Sequence, residues 1–84
     1  MREMPFKVML PDGFVVEGWS AYAICEELRR HDWGVPPTVL DFKRGLARRC
    51  EVAGMHLLFW DANSFLHAAA QAKVFRLWID GVEL

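Results

Sequence analysis

The chain lacks the residues and patterns from which most reaction and metal sites are built. Its two cysteines, Cys25 and Cys50, are too few for a disulfide framework and share no metal-ligand spacing with the three histidines. The two serines, Ser20 and Ser64, stand at predicted helix starts, where capping explains them. Cys50 and His56 would suit a nucleophile and its base, but packing explains Cys50 better. We therefore predict no catalytic residue, no cofactor and no metal.

Long apolar runs are also missing from the sequence. No stretch of about 18 apolar residues is present to form a transmembrane helix, and the first residues lack the apolar segment of a signal peptide. Two thiols among apolar residues are typical of a reducing compartment. We therefore expect a cytoplasmic protein without membrane contact, with a bacterial or phage-infected cell as the favoured setting.

What the chain has instead is apolar and aromatic side chains. Hydrophobic residues make up 54% of the 84 residues, and four of them are tryptophans. A single domain of this length, residues 1–84, buries only about 60–65% of its unfolded surface, so its core is small. Some tryptophans should therefore lie at the surface or in an interface. The net charge of −1 indicates no general attraction to nucleic acid or membranes.

Local patterns predict the order of helices and strands. Alternating apolar residues over 6–10 and 14–17 flank the turn sequence Pro-Asp-Gly at 11–13, which predicts a β-hairpin. Ser20 is placed to cap a first helix, with Trp19 packing on Ile24 as a hydrophobic staple. Thr38 is placed to cap a second helix that Gly54 ends.

The last third of the chain predicts three further elements. Residues 55–60 form a short apolar run, read as a mostly buried strand that ends at Trp60. Asn63 or Ser64 would cap a third helix, and residues 74–84 close the chain as a strand. In that strand the alternation places Phe75, Leu77 and Ile79 on one face and Trp78 on the opposite face.

This order predicts an α+β fold with an N-terminal β-hairpin, two helices, a strand, a helix and a C-terminal strand. The four strands would form a mostly antiparallel or mixed sheet with the helices on one face. At the level of pattern the chain resembles β-grasp domains, since a hairpin and a helix are followed by a late strand that ends at Asp80-Gly81. That resemblance implies a fold and no function.

The second helix carries four of the ten basic residues of the chain. On a helical wheel its apolar residues share one broad arc, and Lys43 falls inside that arc. Arg44, Arg48 and Arg49 lie on the other side. Acidic residues three positions from Arg44 and from Arg48 are placed to neutralise them. The arginine face is therefore predicted to meet water, a protein or, least of all, nucleic acid.

Aromatic and arginine side chains are enriched in binding hot spots. The residues that we expect at a partner surface are Trp33, Trp78, Lys43, Arg44, Arg48 and Arg49. We expect a non-enzymatic protein that docks on a macromolecular partner, a protein above all, or that self-associates as a homodimer. Small inhibitors from phages and mobile elements, such as anti-CRISPR proteins, fit the size and the lack of motifs. The alternative is a small nucleic-acid-binding regulator that uses the basic helix 38–53.

Overall fold

A computed structural model describes residues 4–32, 34–57 and 61–84 of the chain. Within these residues the chain forms three helices and a four-stranded sheet, the α+β fold that the sequence predicts. The strands are β1 (Phe6–Met9), β2 (Val15–Gly18), β3 (Arg76–Ile79) and β4 (Val82–Glu83). The helices are α1 (Ala21–His31), α2 (Val39–Val52) and α3 (Ala62–Gln71).

The sheet has the strand order β2-β1-β3-β4, and every neighbouring pair is antiparallel. Val8 of β1 lies opposite Val16 of β2 and Leu77 of β3, and all three side chains are buried. Side chains alternate between the two faces of a strand, so these residues define an inner face. Helix α1 packs on β1 and β2, and α3 packs on β3. The helices therefore cover the inner face, as predicted, and leave the outer face open.

The C-terminal half of the sheet differs from the prediction in its elements. Residues 74–84 do not form one strand, because Asp80 and Gly81 adopt positive φ angles of 52° and 80° and turn the chain back into the β3–β4 hairpin. Residues 55–57 form no strand, and residues 58–60, including Trp60, lie outside the described part of the chain. The elements on which the likeness to β-grasp domains rests are all present: the hairpin, the first helix and the late strand that ends at Asp80-Gly81.

The turn of the N-terminal hairpin has the chemistry that its sequence predicts. The N–H of Gly13 donates to the carbonyl oxygen of Leu10 at 2.9 Å, and a carboxylate oxygen of Asp12 accepts from the N–H of Phe14 at 2.9 Å. Gly13 has a φ of 91°, which a residue with a Cβ rarely adopts. The three-residue turn thus fixes the register of β1 and β2.

The core lies between the inner face of the sheet and the helices. Ile24, Cys25 and Leu28 form the buried stripe of α1, since their spacing places them on one face of the helix. A Cβ placed on Gly18 would lie 3.2 Å from the Cδ1 atom of Ile24, so glycine at this position allows α1 to approach β2 closely. The lack of a Cβ at Gly18 thus sets the distance between α1 and β2.

The predicted N-terminal caps of α1 and α2 and the predicted C-terminal end of α2 are confirmed. The Ser20 hydroxyl accepts from the N–H of Ala23 at 3.1 Å at the start of α1. Thr38 does the same for the N–H of Asp41 at 3.0 Å at the start of α2. Gly54 follows α2 with a φ of 84°, the left-handed conformation that ends many helices.

The sequence predicts Asn63 or Ser64 as the cap of α3, but in the structure Asp61 caps this helix. Its carboxylate accepts from the backbone N–H of Ser64 at 2.7 Å and from the Ser64 hydroxyl at 3.3 Å. These two hydrogen bonds, the hydroxyl first, lower the pKa of Asp61. Helix α3 therefore starts earlier than predicted, because the carboxylate of Asp61, two residues before Asn63, caps the free backbone N–H groups at the start of the helix.

Replacing the cap tests this assignment. We expect Asp61→Ala to lower the melting temperature by several degrees and Asn63→Ala to leave it nearly unchanged, since Asn63 is exposed and lies past the cap. The pKa of Asp61 is lowered by folding, so its contribution is complete above the unfolded pKa and is lost as the pH falls through the folded pKa. Thermal unfolding at neutral and acid pH measures both effects. A larger loss in Asn63→Ala would contradict the assignment.

Candidate docking surfaces

The outer face of the sheet carries a tryptophan between two cations. Trp78 of β3 is half-buried, and Lys7 of β1 lies directly opposite it in the register. The Nζ atom of Lys7 is 5.1 Å from the centroid of the Trp78 ring, and the Cζ atom of Arg76 is 4.7 Å from it. Both distances allow a cation–π attraction. We call this the outer sheet face, formed by Lys7, Glu17, Arg76, Trp78 and Glu83.

Arg76 is itself held in place by Glu83 of the neighbouring strand. Its Nε and Nη2 atoms donate to the two carboxylate oxygens of Glu83 at 2.9 and 2.7 Å. This two-fold hydrogen bonding lowers the pKa of Glu83 and raises that of Arg76. A guanidinium bound at two points has a fixed plane, so it also fixes one side of the Trp78 ring. The Trp78 ring is thereby flanked by a guanidinium that Glu83 holds at two points.

The three arginines of α2 lie on its exposed side, as the helical wheel predicts. Arg49 reaches out of its own helix, where its Nη2 atom lies 3.6 Å from a carboxylate oxygen of Asp32. Arg44 and Arg48 stand one turn apart on the same helix. The surface that they form, the α2 arginine face, is therefore defined by Arg44 and Arg48, with Arg49 at its edge.

The ion pairs predicted within α2 are not formed. Asp41 does not pair with Arg44, because its carboxylate accepts from the Thr38 hydroxyl at 2.8 Å in the helix cap. Glu51 does not pair with Arg48 either. Within the part of the chain that the structure describes, neither Arg44 nor Arg48 has an ion-pair partner. The arginine face is thus less neutralised than the sequence indicates.

One further residue from the predicted partner surface, Lys43, contributes to neither surface. Lys43 lies on the buried side of α2 with only 6% of its area exposed, where its charge acts on Asp61 and Cys25. A side chain buried in this way does not suit a partner contact. The burial agrees with the helical wheel of α2, on which Lys43 falls inside the apolar arc. Trp33 lies outside the described residues.

The other candidate residues for chemistry are the two cysteines and His56. Burial raises the pKa of the Cys25 thiol to about 11, so the thiolate needed for nucleophilic chemistry is rare. Cys50 is buried and His56 is exposed, which gives no support for a nucleophile and base. Among the described residues no group of three or more metal-ligating side chains is found. No helix in the same residues is long and apolar enough to cross a membrane.

Sequence reasoning missed an exposed apolar strip beside β2. Trp19 is 56% exposed, so it does not bury itself on Ile24 as the predicted staple requires. We call this strip the β2 flank; it consists of Phe14, Val15, Trp19 and Tyr22, all exposed. Trp19 stands between a strand and a helix, where neither periodicity assigns its side chain to a face.

A cavity of about 400 Å³ was also not predicted. It lies where the N-terminal turn, the end of α1 and α2 meet, and Leu28, Phe42 and Phe75 are among its lining residues. His31, Asp32 and Arg49 also line it; the His31 ring stacks on Phe14 with centroids 3.8 Å apart, and Arg49 contacts Asp32. Its walls come from elements far apart in the chain, so no local pattern indicates it.

The chain matches no protein-family model, and comparisons with known proteins and with solved structures find no significant similarity.

The reactivity of the two buried thiols can be measured directly. We expect both Cys25 and Cys50 to resist alkylation by iodoacetamide in the folded protein at pH 8, because both are buried and the pKa of Cys25 is about 11. Mass spectrometry of peptides after labelling, with and without urea, measures this. Rapid labelling of Cys25 without urea would show that its thiol is reactive after all.

Proposed function

We propose that the protein is a non-enzymatic binding protein that docks on a protein partner through its outer sheet face. The observation that carries this proposal is the position of Trp78 at the centre of a sheet face that no described helix covers. Tryptophan and arginine are the residues most enriched in binding hot spots. A single aromatic anchor among polar residues also matches the usual anatomy of an interface.

The fixed geometry of Trp78 supports the same proposal. Lys7 and Arg76 flank its ring, and Glu83 holds Arg76 at two points. Side chains that are ordered before binding lose less conformational entropy when a partner docks. The outer sheet face therefore has the preorganisation that an anchor residue needs.

The charges of this face favour a protein over a nucleic acid. Lys7 and Arg76 are balanced by Glu17 and Glu83, so the face carries no net positive charge. Binding to a phosphate backbone draws most of its affinity from unneutralised cations. A protein surface with mixed charges is the better complement.

Inhibition is the biological form of this activity that we favour. A small domain that binds without chemistry acts by covering the surface of its partner. An inhibitor encoded by a phage or a mobile element, of the anti-CRISPR type, would work in this way. This form of the proposal rests on the small size of the domain.

Substitution of the anchor tests the docking surface. After affinity capture has identified a partner, we expect Trp78→Ala to weaken its binding about tenfold or more, since hot spots contribute about 2 kcal/mol or more. Val52→Ala is the matched control, because Val52 is 87% exposed on α2 and lies away from the sheet. Calorimetry measures the affinities, and circular dichroism checks the fold. Unchanged affinity in Trp78→Ala would refute the proposed surface.

A second function is favoured by one observation on α2. Arg44 and Arg48 have no ion-pair partner among the described residues, so both charges are available to phosphate groups. A nucleic-acid-binding regulator would use them from the exposed side of the helix. The overall charge of −1 and the small number of free cations make this the weaker of the two functions.

A gel-shift series at several salt concentrations tests this alternative. If the protein binds nucleic acid, we expect Arg44→Ala/Arg48→Ala to reduce the slope of log affinity against log salt by about 2, one unit for each lost phosphate contact. Arg30→Ala is the control, because Arg30 is exposed but paired with glutamates on α1. Absence of any shift by the unmodified protein at low salt would rule this function out.

A further inference from the structure

We propose that the cavity of about 400 Å³ beside the N-terminal turn binds an α-amino acid with a large apolar side chain. The residues that line this cavity include none of those that form the outer sheet face. The proposal therefore goes beyond the docking function and stands or falls independently of it.

The size and the apolar walls of the cavity suit a small ligand. Small-molecule sites in proteins have volumes of about 300–1,000 Å³ and mostly apolar walls with a few polar groups. This cavity lies at the lower end of that range, and Leu28, Phe42, Leu46 and Phe75 belong to its apolar walls. Leu28, Phe42 and Phe75 are each at most 5% exposed, so the core holds them in place. The cavity thus fits a ligand the size of an amino acid.

Two opposite charges lie side by side in the lining. Asp32 follows α1 and Arg49 belongs to α2, and both line the cavity. The Nη2 atom of Arg49 lies 3.6 Å from a carboxylate oxygen of Asp32, an ion-pair contact that is too long for a hydrogen bond. A guanidinium has several N–H donors, and a carboxylate has several acceptor sites. The pair can therefore bind further charged groups while its two members stay together.

The complement of this pair is a ligand that carries an ammonium group and a carboxylate next to each other. An α-amino acid holds both groups on one carbon atom. In the complex its carboxylate accepts hydrogen bonds from Arg49, since a guanidinium matches a carboxylate at two points, and its ammonium group donates to Asp32. A ligand with a single charge leaves one member of the pair without a complement. The lining thus favours a zwitterion over a simple amine or a simple carboxylic acid.

The other charged group in the lining favours the ammonium group as well. Asp12 lines the cavity, with a carboxylate oxygen 3.7 Å from the Nε2 atom of His31. The lining therefore contains two carboxylates and one guanidinium. A carboxylic acid without an amine would meet this excess of negative charge unaided, whereas an amino acid brings its own positive charge. The apolar side chain of the ligand then occupies the space between α1 and α2.

Ligands that each lack one group test the site. Two-dimensional NMR of the isotope-labelled protein measures the affinity and locates the contacts. We expect L-phenylalanine to bind at concentrations of up to about 10 mM, with the largest shifts around the cavity. Phenethylamine, hydrocinnamate and L-alanine lack the carboxylate, the ammonium group and the apolar body, so each should bind about tenfold more weakly or worse. Absence of binding by both L-phenylalanine and L-leucine, or an analogue that binds as tightly as L-phenylalanine, would overturn the proposal.

Two substitutions that remove charge distinguish ligand contacts from a general effect on the fold. We expect Arg49→Gln to weaken L-phenylalanine about tenfold and to leave phenethylamine unchanged, because only the first of these ligands has a carboxylate. Asp32→Asn should weaken both of them and leave hydrocinnamate bound at least as tightly. Arg44→Gln is the matched control, since Arg44 lies on the same helix but does not line the cavity. Equal weakening of all ligands, or an equal loss in Arg44→Gln, would refute the roles of Asp32 and Arg49.

Discussion

One buried row of side chains across the sheet determines the rest of the molecule. Val16, Val8 and Leu77 lie side by side on three neighbouring strands and are covered by the helices. Because side chains alternate along each strand, burying this row turns Glu17, Lys7 and Trp78 to the other face. A shift of any strand by one residue would expose the core and bury charges. The composition of the outer sheet face is thus a direct result of how the core packs.

The helices are fixed relative to this row by two local features. Gly18 allows α1 to lie close against β2, as the short distance from its position to Ile24 shows. At the other end of α1, the guanidinium of Arg29 donates to the carbonyl oxygen of Pro36 at 2.9 Å and pairs with Glu26. Arg29 therefore links α1 to the connection that leads into α2.

The parts of the structure that the sequence predicts well are those fixed by neighbouring residues. The Pro-Asp-Gly turn and the caps at Ser20 and Thr38 each need only three or four residues, so local chemistry is sufficient to specify them. The alternation in β3 also predicted correctly that Trp78 and Leu77 face opposite ways. Prediction from neighbouring residues failed where a side chain had two possible hydrogen-bond or ion-pair partners. Asp41 was expected to pair with Arg44, but it serves the cap of its own helix.

Features that depend on the arrangement of distant elements could not be predicted. The C-terminal hairpin is not one of them, because Asp80-Gly81 is a local turn signal that the prediction of a single strand over 74–84 passed over. The edge position of β2 follows from the pairing of β1 with β3, which no local pattern contains. The cavity and the β2 flank are likewise products of the tertiary arrangement. Each requires knowledge of which elements become neighbours in space.

The separation between the two faces of the sheet has a practical consequence for protein engineering. Lys7, Met9, Val15 and Glu17 share their backbone with the buried row, yet their side chains project to the face without a helix. Codons for these positions can be randomised together while the residues that specify the fold stay constant. The sheet therefore offers positions for display libraries from which new binding specificities are selected.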